Sequence, residues 1–458
     1  MIRQPLSLLL LAGLFGALVG SARAADVSAA TAATAPAESA ALREAYTQPL
    51  PGLGEKERAL FFRGRSIFRQ SWVVAPAADK AAGLGPLYNR LSCISCHQKN
   101  GRGRSPDGPD ERLLSMLVRL SVPGQAADGG PLPHPVYGSQ LNDEGIPGVP
   151  AEGRAAIRWQ ELRPQTLAGG EKVSLRRPRV SFENMAYGRP GKMLHSLRVG
   201  QPVYGLGLLE AVPEATILAL AAETKPDGVK GSVNRVWDAA AQRTTLGRFG
   251  FKANMPNLRQ QSAGAMLGDL GMTSSLFPGE NCTPAQKACR AAPSGGHPEL
   301  PDADLDALEF YLANLAAPPR RNADNAQVRQ GEQFFAEAGC AACHRPTLQT
   351  GPSQRFPLTA NQPIAPYTDL LVHDMGQGLA DGRPDYQASG RQWRTPPLWG
   401  IGLVPLINEH SQYLHDGRAR NLQEAVLWHD GEARASRQRY AAAPPEKRQA
   451  LLAFLQAL

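Results

Sequence analysis

The sequence predicts a mainly α-helical protein built from two similar domains, and three observations support this prediction. A Cys-x-x-Cys-His pentapeptide occurs twice, at residues 93–97 and 340–344. A pattern typical of an amphipathic helix precedes each pentapeptide. A second apolar helix pattern follows each of them, at residues 307–315 and 450–458. The same order of elements therefore occurs twice in one chain.

The first 24 residues have the features of a cleavable secretory signal. Arg3 precedes an apolar run, and Ala22-Arg23-Ala24 supplies the small residues that come before a cleavage point. A transmembrane anchor is the alternative, but the run is shorter than the roughly 20 residues of a spanning helix. Residues 25–44 are rich in Ala, Ser and Thr and predict a flexible leader. We therefore expect a periplasmic protein without a transmembrane anchor.

The charge balance is basic, with a formal net charge of +8. Several of the positive charges cluster between Arg154 and Arg198. This cluster indicates a surface for an acidic partner, and a solvated face is the alternative. Export and the lack of a nucleic-acid-binding motif exclude nucleic acid as the partner.

The two pentapeptides have the attachment signature of c-type haem. Two thiols one turn apart reach the two vinyl groups of a porphyrin, and the adjacent imidazole reaches the iron. A zinc site or a thioredoxin-like motif is the alternative, and export counts against both. The sequence therefore predicts two covalently bound haem c groups, held by Cys93, Cys96, Cys340 and Cys343, with His97 and His344 as axial iron ligands.

The remaining two cysteines, Cys282 and Cys289, lie in a loop rich in Pro, Gly, Ser and Ala. Because exported proteins fold in an oxidising compartment, we expect a local disulfide between them.

An internal repeat gives the domain organisation. Residues 322–338 predict a helix with Asp324 near its start, and residues 331–335 within it match residues 64–68 of the first half. Helix, pentapeptide and closing helix in this order are the plan of a class I cytochrome c domain. Prolines and arginines at residues 316–322 predict a linker. The predicted domains are residues 45–318, expanded by long loop insertions, and residues 319–458.

Four further segments carry a resemblance to a known family. They are Tyr413–Ala419, Leu371–Gly376, Trp393–Gly400 and Gly205–Ala211. The first of them resembles the C-terminal domain of the bacterial dihaem cytochrome c peroxidase superfamily, and the other three resemble its di-haem oxidoreductase branch. The similarity runs over nearly the whole mature chain. The resemblance implies a haem-dependent, peroxidase-like oxidoreductase.

The resemblance also implies a sixth iron ligand for the second haem. In the peroxidases a methionine follows the segment that matches residues 422–426, and His429 stands at that position here. His344 and His429 are therefore the expected axial pair, with Met375 as the alternative ligand. A surface histidine near a helix end is the other interpretation of His429. Arg394 resembles an arginine that holds haem propionates, and a surface ion pair is its alternative.

The first haem differs from the family pattern. Residues 258–264 resemble the segment that carries a distal glutamine, which places Gln261 at that position. The proton-transferring glutamate of the peroxidases is ten residues further on, where this chain has Gly271. Asp269 or Glu210 are the candidates to replace it, and either of them is alternatively a helix-cap or salt-bridge carboxylate.

The expected function is electron transfer through the second haem and reaction with peroxide, or a related oxidant, at the first. A small redox protein, either a c-type cytochrome or a cupredoxin, is the expected electron donor or acceptor. The family also implies a calcium ion, whose ligands the sequence does not assign. A non-catalytic electron-transfer cytochrome, or an enzyme that oxidises side chains of a partner protein, are the alternatives.

Overall fold

The computed structural model describes residues 40–77 and 81–458, and residues 44–458 belong to one unit. The predicted signal at residues 1–24 and most of the predicted leader lie outside the described residues. The domain boundary predicted at residues 318 and 319 falls inside the unit and stays a prediction. None of the helices formed by the described residues is long and apolar enough to cross a membrane.

The helices are short. They include α1 (Glu55–Arg69), α2 (Leu206–Glu210), α3 (Glu214–Ala222), α4 (Leu258–Leu270), α5 (Lys287–Arg290), α6 (Asp302–Ala313), α7 (Ala326–Glu337), α8 (Gly376–Leu379), α9 (Val404–Ile407), α10 (Leu422–Leu427), α11 (Arg434–Ala442) and α12 (Pro445–Ala457). Four of them, α1, α6, α7 and α12, form the repeat found in the sequence.

The strands pair in two-stranded sheets. They are β1 (Val73–Val74), β2 (Ala82–Leu84), β3 (Leu87–Tyr88), β4 (Met116–Ser121), β5 (Glu144–Gly145), β6 (Arg154–Glu161), β7 (Gln165–Thr166), β8 (Lys172–Val173), β9 (Arg176–Glu183), β10 (Leu194–Val199), β11 (Arg235–Asp238), β12 (Arg243–Leu246), β13 (Leu348–Gln349), β14 (Pro363–Ile364), β15 (Val372–Asp374) and β16 (Gln392–Arg394). The longest pairs are the antiparallel β6–β9 and β4–β10.

The predicted fold class was wrong. Helices hold 31% of the residues and strands hold 18%, in many small sheets, so the chain is not the mainly α-helical pair of cytochrome c-like domains that the sequence predicts. The physical reason lies in the insertion after the first pentapeptide. One of its two longest strands, β9, alternates between exposed and covered residues along its whole length. That period of two is typical of a sheet with one solvated face, whereas the Gly/Pro-rich composition indicates loops.

The repeated helices pack in the same way in both halves. In the first half α1 crosses α6 at Gly64, where a Cβ would overlap the carbonyl oxygen of Ala307. In the second half α7 crosses α12 at Gly331, where a Cβ would overlap the carbonyl oxygen of Ala450. Each glycine therefore lets two backbones touch, and a closing helix covers the helix that leads to each pentapeptide. The predicted disulfide between Cys282 and Cys289 is also confirmed.

Candidate functional site

Both Cys-x-x-Cys-His pentapeptides form one tight turn that begins as a 3₁₀ helix. The N–H of His97 donates to the carbonyl of Cys93 at 3.0 Å, and the N–H of His344 donates to that of Cys340 at 2.9 Å. The thiols of both pentapeptides are free. Each turn therefore brings two thiols and one imidazole together, as the spacing predicts.

Both turns line a single cavity of about 400 Å³ that is open to solvent at its mouth. Ligand pockets are roughly 300–1,000 Å³ in volume. Protein interiors are otherwise close-packed, so a space of this size beside both turns indicates a place for bound groups. Apolar side chains such as Leu206, Leu312 and Leu398 complete the walls. The cavity therefore lies where the two turns would hold their haems.

The two axial histidines are oriented in the same way. Nδ1 of His97 donates to the carbonyl oxygen of Gln201 at 2.6 Å, and Nδ1 of His344 donates to that of Tyr367 at 2.9 Å. This bond fixes the tautomer and leaves Nε2 free to bind a metal. Burial lowers the pKa of His97 and lowers that of His344 to about 4. Both imidazoles are therefore neutral, as a metal ligand must be.

His429 follows α10 and faces His344. The centres of the two imidazole rings are 6.5 Å apart, and their planes are inclined by 48°. Two imidazoles that bind one metal from opposite sides, at roughly 2 Å for each bond, have centres about 6 Å apart. Nδ1 of His429 donates to the carbonyl oxygen of Ala425 at 2.8 Å, so its Nε2 is also free. The alternative ligand, Met375, lines the same cavity.

Arg394 and Arg119 are two of the arginines that line the cavity without a carboxylate partner among the described residues. Arg394 is 6% exposed and donates only to backbone carbonyls, those of Gly250 and Thr395. Burial lowers its pKa to about 10. Arg119 also lines the cavity, and burial lowers its pKa as well. Because a buried charge without a counter-charge is costly, both guanidinium groups suit an anionic part of the bound group. Arg394 is therefore not the surface ion pair that was its alternative.

Asp269 is the predicted carboxylate that the structure brings to the first pentapeptide. Burial, and then the charge of Asp269, raises the pKa of Cys93 to about 12, which places this carboxylate nearby. Gln140 donates to Oδ1 of Asp269 at 2.8 Å. Burial raises the pKa of Asp269, although the charge of Arg119 opposes the shift. Gln261 lines the same cavity, one turn into α4.

The end of α4 leaves no room for a side chain at Gly271, the position that corresponds to the glutamate of the peroxidases. Gly271 caps this helix in the left-handed conformation, with φ of +71°. A Cβ at this position would lie 2.5 Å from the carbonyl oxygen of Leu87. Any side chain there is therefore strained by its backbone and blocked by its neighbour.

Glu210 does not lie at the haem cavity, so its prediction as a proton-transfer group there is corrected. It lines a separate cavity, together with Glu309 and Arg355. Its Oε1 accepts a hydrogen bond from the N–H of Leu258 at 3.1 Å, at the start of α4. The helix-cap alternative is therefore the one that the structure supports.

Sequence reasoning missed Gln140 and Arg119. Gln140 is 129 residues away from Asp269, and Arg119 lies in β4. Both residues belong to the insertion, where the sequence carries no motif. The pairing of β4 with β10 brings this part of the chain to the cavity. No short sequence motif predicts that pairing.

The comparison with protein families agrees with the two haems that the two turns predict. A family model described as "di-haem oxidoreductase, putative peroxidase" matches residues 24–458. No curated protein matches the chain. Among solved structures the chain is similar to hydrazine synthase of Kuenenia stuttgartiensis, in a structure pressurised with xenon, with a TM-score of 0.36 and 15% identity over 91% of this chain and 92% of that one. A similarity this low supports no conclusion about activity.

Proposed function

Since the chain belongs to the di-haem oxidoreductase family, we propose that it is a periplasmic oxidoreductase with two covalently attached haems and peroxidase-like activity. The single cavity lined by both Cys-x-x-Cys-His turns carries the proposal. Cys93 and Cys96 would hold the first haem, and Cys340 and Cys343 the second. When bound, haem supplies the redox chemistry, while the protein supplies ligands, orientation and proton handling.

The two centres have different surroundings, which supports different roles. At the second centre His429 faces His344 at the spacing of an axial pair, so both faces of the metal would be occupied. Such a centre transfers electrons without binding a substrate. A phenylalanine ring lies beside the axial histidine at both centres, Phe68 beside His97 and Phe335 beside His344. At the first centre, however, no second imidazole faces His97 in the described part of the chain. We assign the reaction with peroxide, or a related oxidant, to this centre.

Asp269 is the group that would hold and move the proton. Its raised pKa keeps a proton on the carboxyl at higher pH than usual, so that it can both accept and return one. Gln140 fixes the orientation of the carboxyl through the bond to Oδ1. Gln261 of α4 also lines this cavity, and it stands at the position of the distal glutamine of the peroxidases.

The electron donor in this proposal is a small c-type cytochrome or a cupredoxin. Calcium is not part of the proposal. The one cluster of potential metal ligands that the described residues form is Cys343, Asp369 and His373. Calcium binds shells of six to eight oxygen atoms, which this donor set does not provide. His373 is instead bonded to Asp369 at 2.9 Å and to Glu432 at 2.8 Å.

Spectroscopy of the purified holoprotein tests the proposal. Electron paramagnetic resonance should show one low-spin and one high-spin haem, and cyanide should bind to one haem in each chain. Mass spectrometry after denaturation should find both haems still attached. Hydrogen peroxide should then be reduced at the expense of a reduced c-type cytochrome. If both haems are low-spin and six-coordinate in every redox state, the chain is an electron-transfer cytochrome and the proposal is wrong.

A further inference from the structure

The antiparallel ribbon formed by β6 and β9 has two different faces. The inner face is largely apolar: Ala155 and Ile157 are buried in a cluster with Leu120 and Val199, and Val180 packs against it. The side chains of the other face point away from this cluster, because neighbouring residues of a strand alternate between the two faces.

Three arginines dominate the outer face. Arg158 stands directly opposite Arg179 in the register, and Arg177 stands opposite Gln160. All three arginines are exposed. The amide oxygen of Gln160 accepts from Nε of Arg177 at 3.0 Å and from Nε of Arg179 at 2.8 Å. Arginines directly opposite one another repel, so this arrangement lowers the stability of the free protein.

The acidic residues of the ribbon and its connecting loop form no ion pair with these three arginines. Glu161 pairs with Arg420 at 3.0 Å, and Glu171 pairs with Arg448 at 2.8 Å. Glu183, which is also on the outer face, stands opposite Arg154 at the other end of the ribbon. Among the described residues the three outer arginines form no ion pair. On a face that contacts only solvent, opposing positive charges lower the stability and bring no gain. On a face that binds an acidic molecule, the same charges attract the partner.

The position of the ribbon connects it with the second centre. Arg420, which pairs with Glu161, also donates to Glu424 of α10 at 2.7 Å. His429 lies two residues after the end of α10. In addition, Leu175 belongs to the same buried cluster as Trp428, the neighbour of His429. The ribbon therefore packs against the segment that carries the sixth ligand of that centre.

We propose that the outer face of the β6–β9 ribbon is the docking surface for a small acidic redox protein that exchanges electrons with the second centre. This inference rests on the proposed function, since it assumes that the second centre passes electrons. Complementary charge speeds up the encounter of two proteins and orients them, and its effect weakens as salt is added. An acidic partner would also remove the repulsion between Arg158 and Arg179.

The test measures electron transfer from a reduced acidic c-type cytochrome to the holoprotein by stopped flow, without peroxide. The triple variant Arg158→Glu, Arg177→Glu, Arg179→Glu should lower the second-order rate constant about tenfold at low ionic strength. The difference should shrink as salt is added, because the charges are then screened. With a basic cytochrome c as donor the same variant should react no more slowly than the wild type.

The matched control carries the same change in net charge at three exposed cations elsewhere, Lys56→Glu, Arg243→Glu and Lys287→Glu. It should change the rate constant less than about twofold. An equal decrease in both triple variants, or no decrease in the first, overturns the inference. If the wild type accepts no electrons, the proposed function fails, and calorimetry of the oxidised cytochrome with wild type and variant still tests the docking. Equal affinity of the two proteins for the cytochrome then overturns it.

Discussion

The imidazole of His429 lies opposite that of His344, with the two ring centres 6.5 Å apart. Both rings donate through Nδ1 to a backbone carbonyl, so both present Nε2 to the cavity. A single metal atom fits between them, and a backbone carbonyl oxygen holds each ring in its orientation. This arrangement makes the second centre the better defined of the two and supports the first prediction.

Substitution His429→Ala should convert one low-spin haem to high spin, because it removes one axial ligand and leaves His344 in place. Electron paramagnetic resonance and the visible spectrum of the holoprotein measure the change. The matched variant Met375→Leu should leave both spectra as they are in the wild type. The opposite pattern, a change with Met375→Leu and none with His429→Ala, would assign the ligand to Met375.

Substitution Asp269→Asn should lower the rate of peroxide reduction roughly 10²- to 10³-fold, the range expected for loss of a general acid–base group. In the wild type the rate should rise with pH through the raised pKa of Asp269, since the ionised form accepts the proton. The variant should lose this part of the pH profile. Glu210→Gln is the control, and it should retain activity within about twofold because its amide oxygen still caps α4. Equal losses in both variants would count against a role for Asp269.

Substitution Gly271→Glu restores the family glutamate in the sequence but should not restore its function. The left-handed backbone and the nearby carbonyl of Leu87 should destabilise the variant by roughly 1–3 kcal/mol or more. Urea unfolding measures the change. Gly279→Ala is the control, because nothing lies within 4 Å of a Cβ there. A stable Gly271→Glu variant with faster peroxide turnover would show that position 271 can carry a side chain.

Glu152 should make stability depend on pH. It is 1% exposed, and burial raises its pKa from 4.5 to about 8. The folded chain therefore binds this proton more tightly than the unfolded chain does. The stability that the group contributes is present below pH 4.5 and is lost as the pH rises through about 8. The melting temperature should accordingly fall less between about pH 5 and pH 9 in Glu152→Gln than in the wild type. Parallel curves for the two proteins would exclude Glu152 as the cause.

The sequence predicted those parts of the site that depend on local spacing. Two cysteines and a histidine within one turn need no tertiary information, and both turns form as expected. The helix predicted at residues 322–338 is observed as α7, and Asn325 caps it. His429 was placed through resemblance, because its position relative to His344 depends on how the second half of the chain folds.

The rest depends on contacts between distant parts of the chain. An arginine-rich segment such as β9 is compatible with a loop as well as with a strand. The sequence analysis therefore did not predict this strand. Glu210 follows a Gly-rich segment that resembles the one before Leu403, yet its carboxylate turns to α4 and away from the haem cavity. Local sequence does not encode the direction in which such a side chain points.

The shared cavity also bears on how the protein is made. Its walls come from residues as far apart in the chain as Phe68 and Leu455. Segments that meet only around a large prosthetic group cannot reach close packing without it. Haem attachment and folding are therefore expected to be a single coupled event. In a cell that lacks the attachment machinery, the chain should remain partly unfolded and become a substrate for proteases.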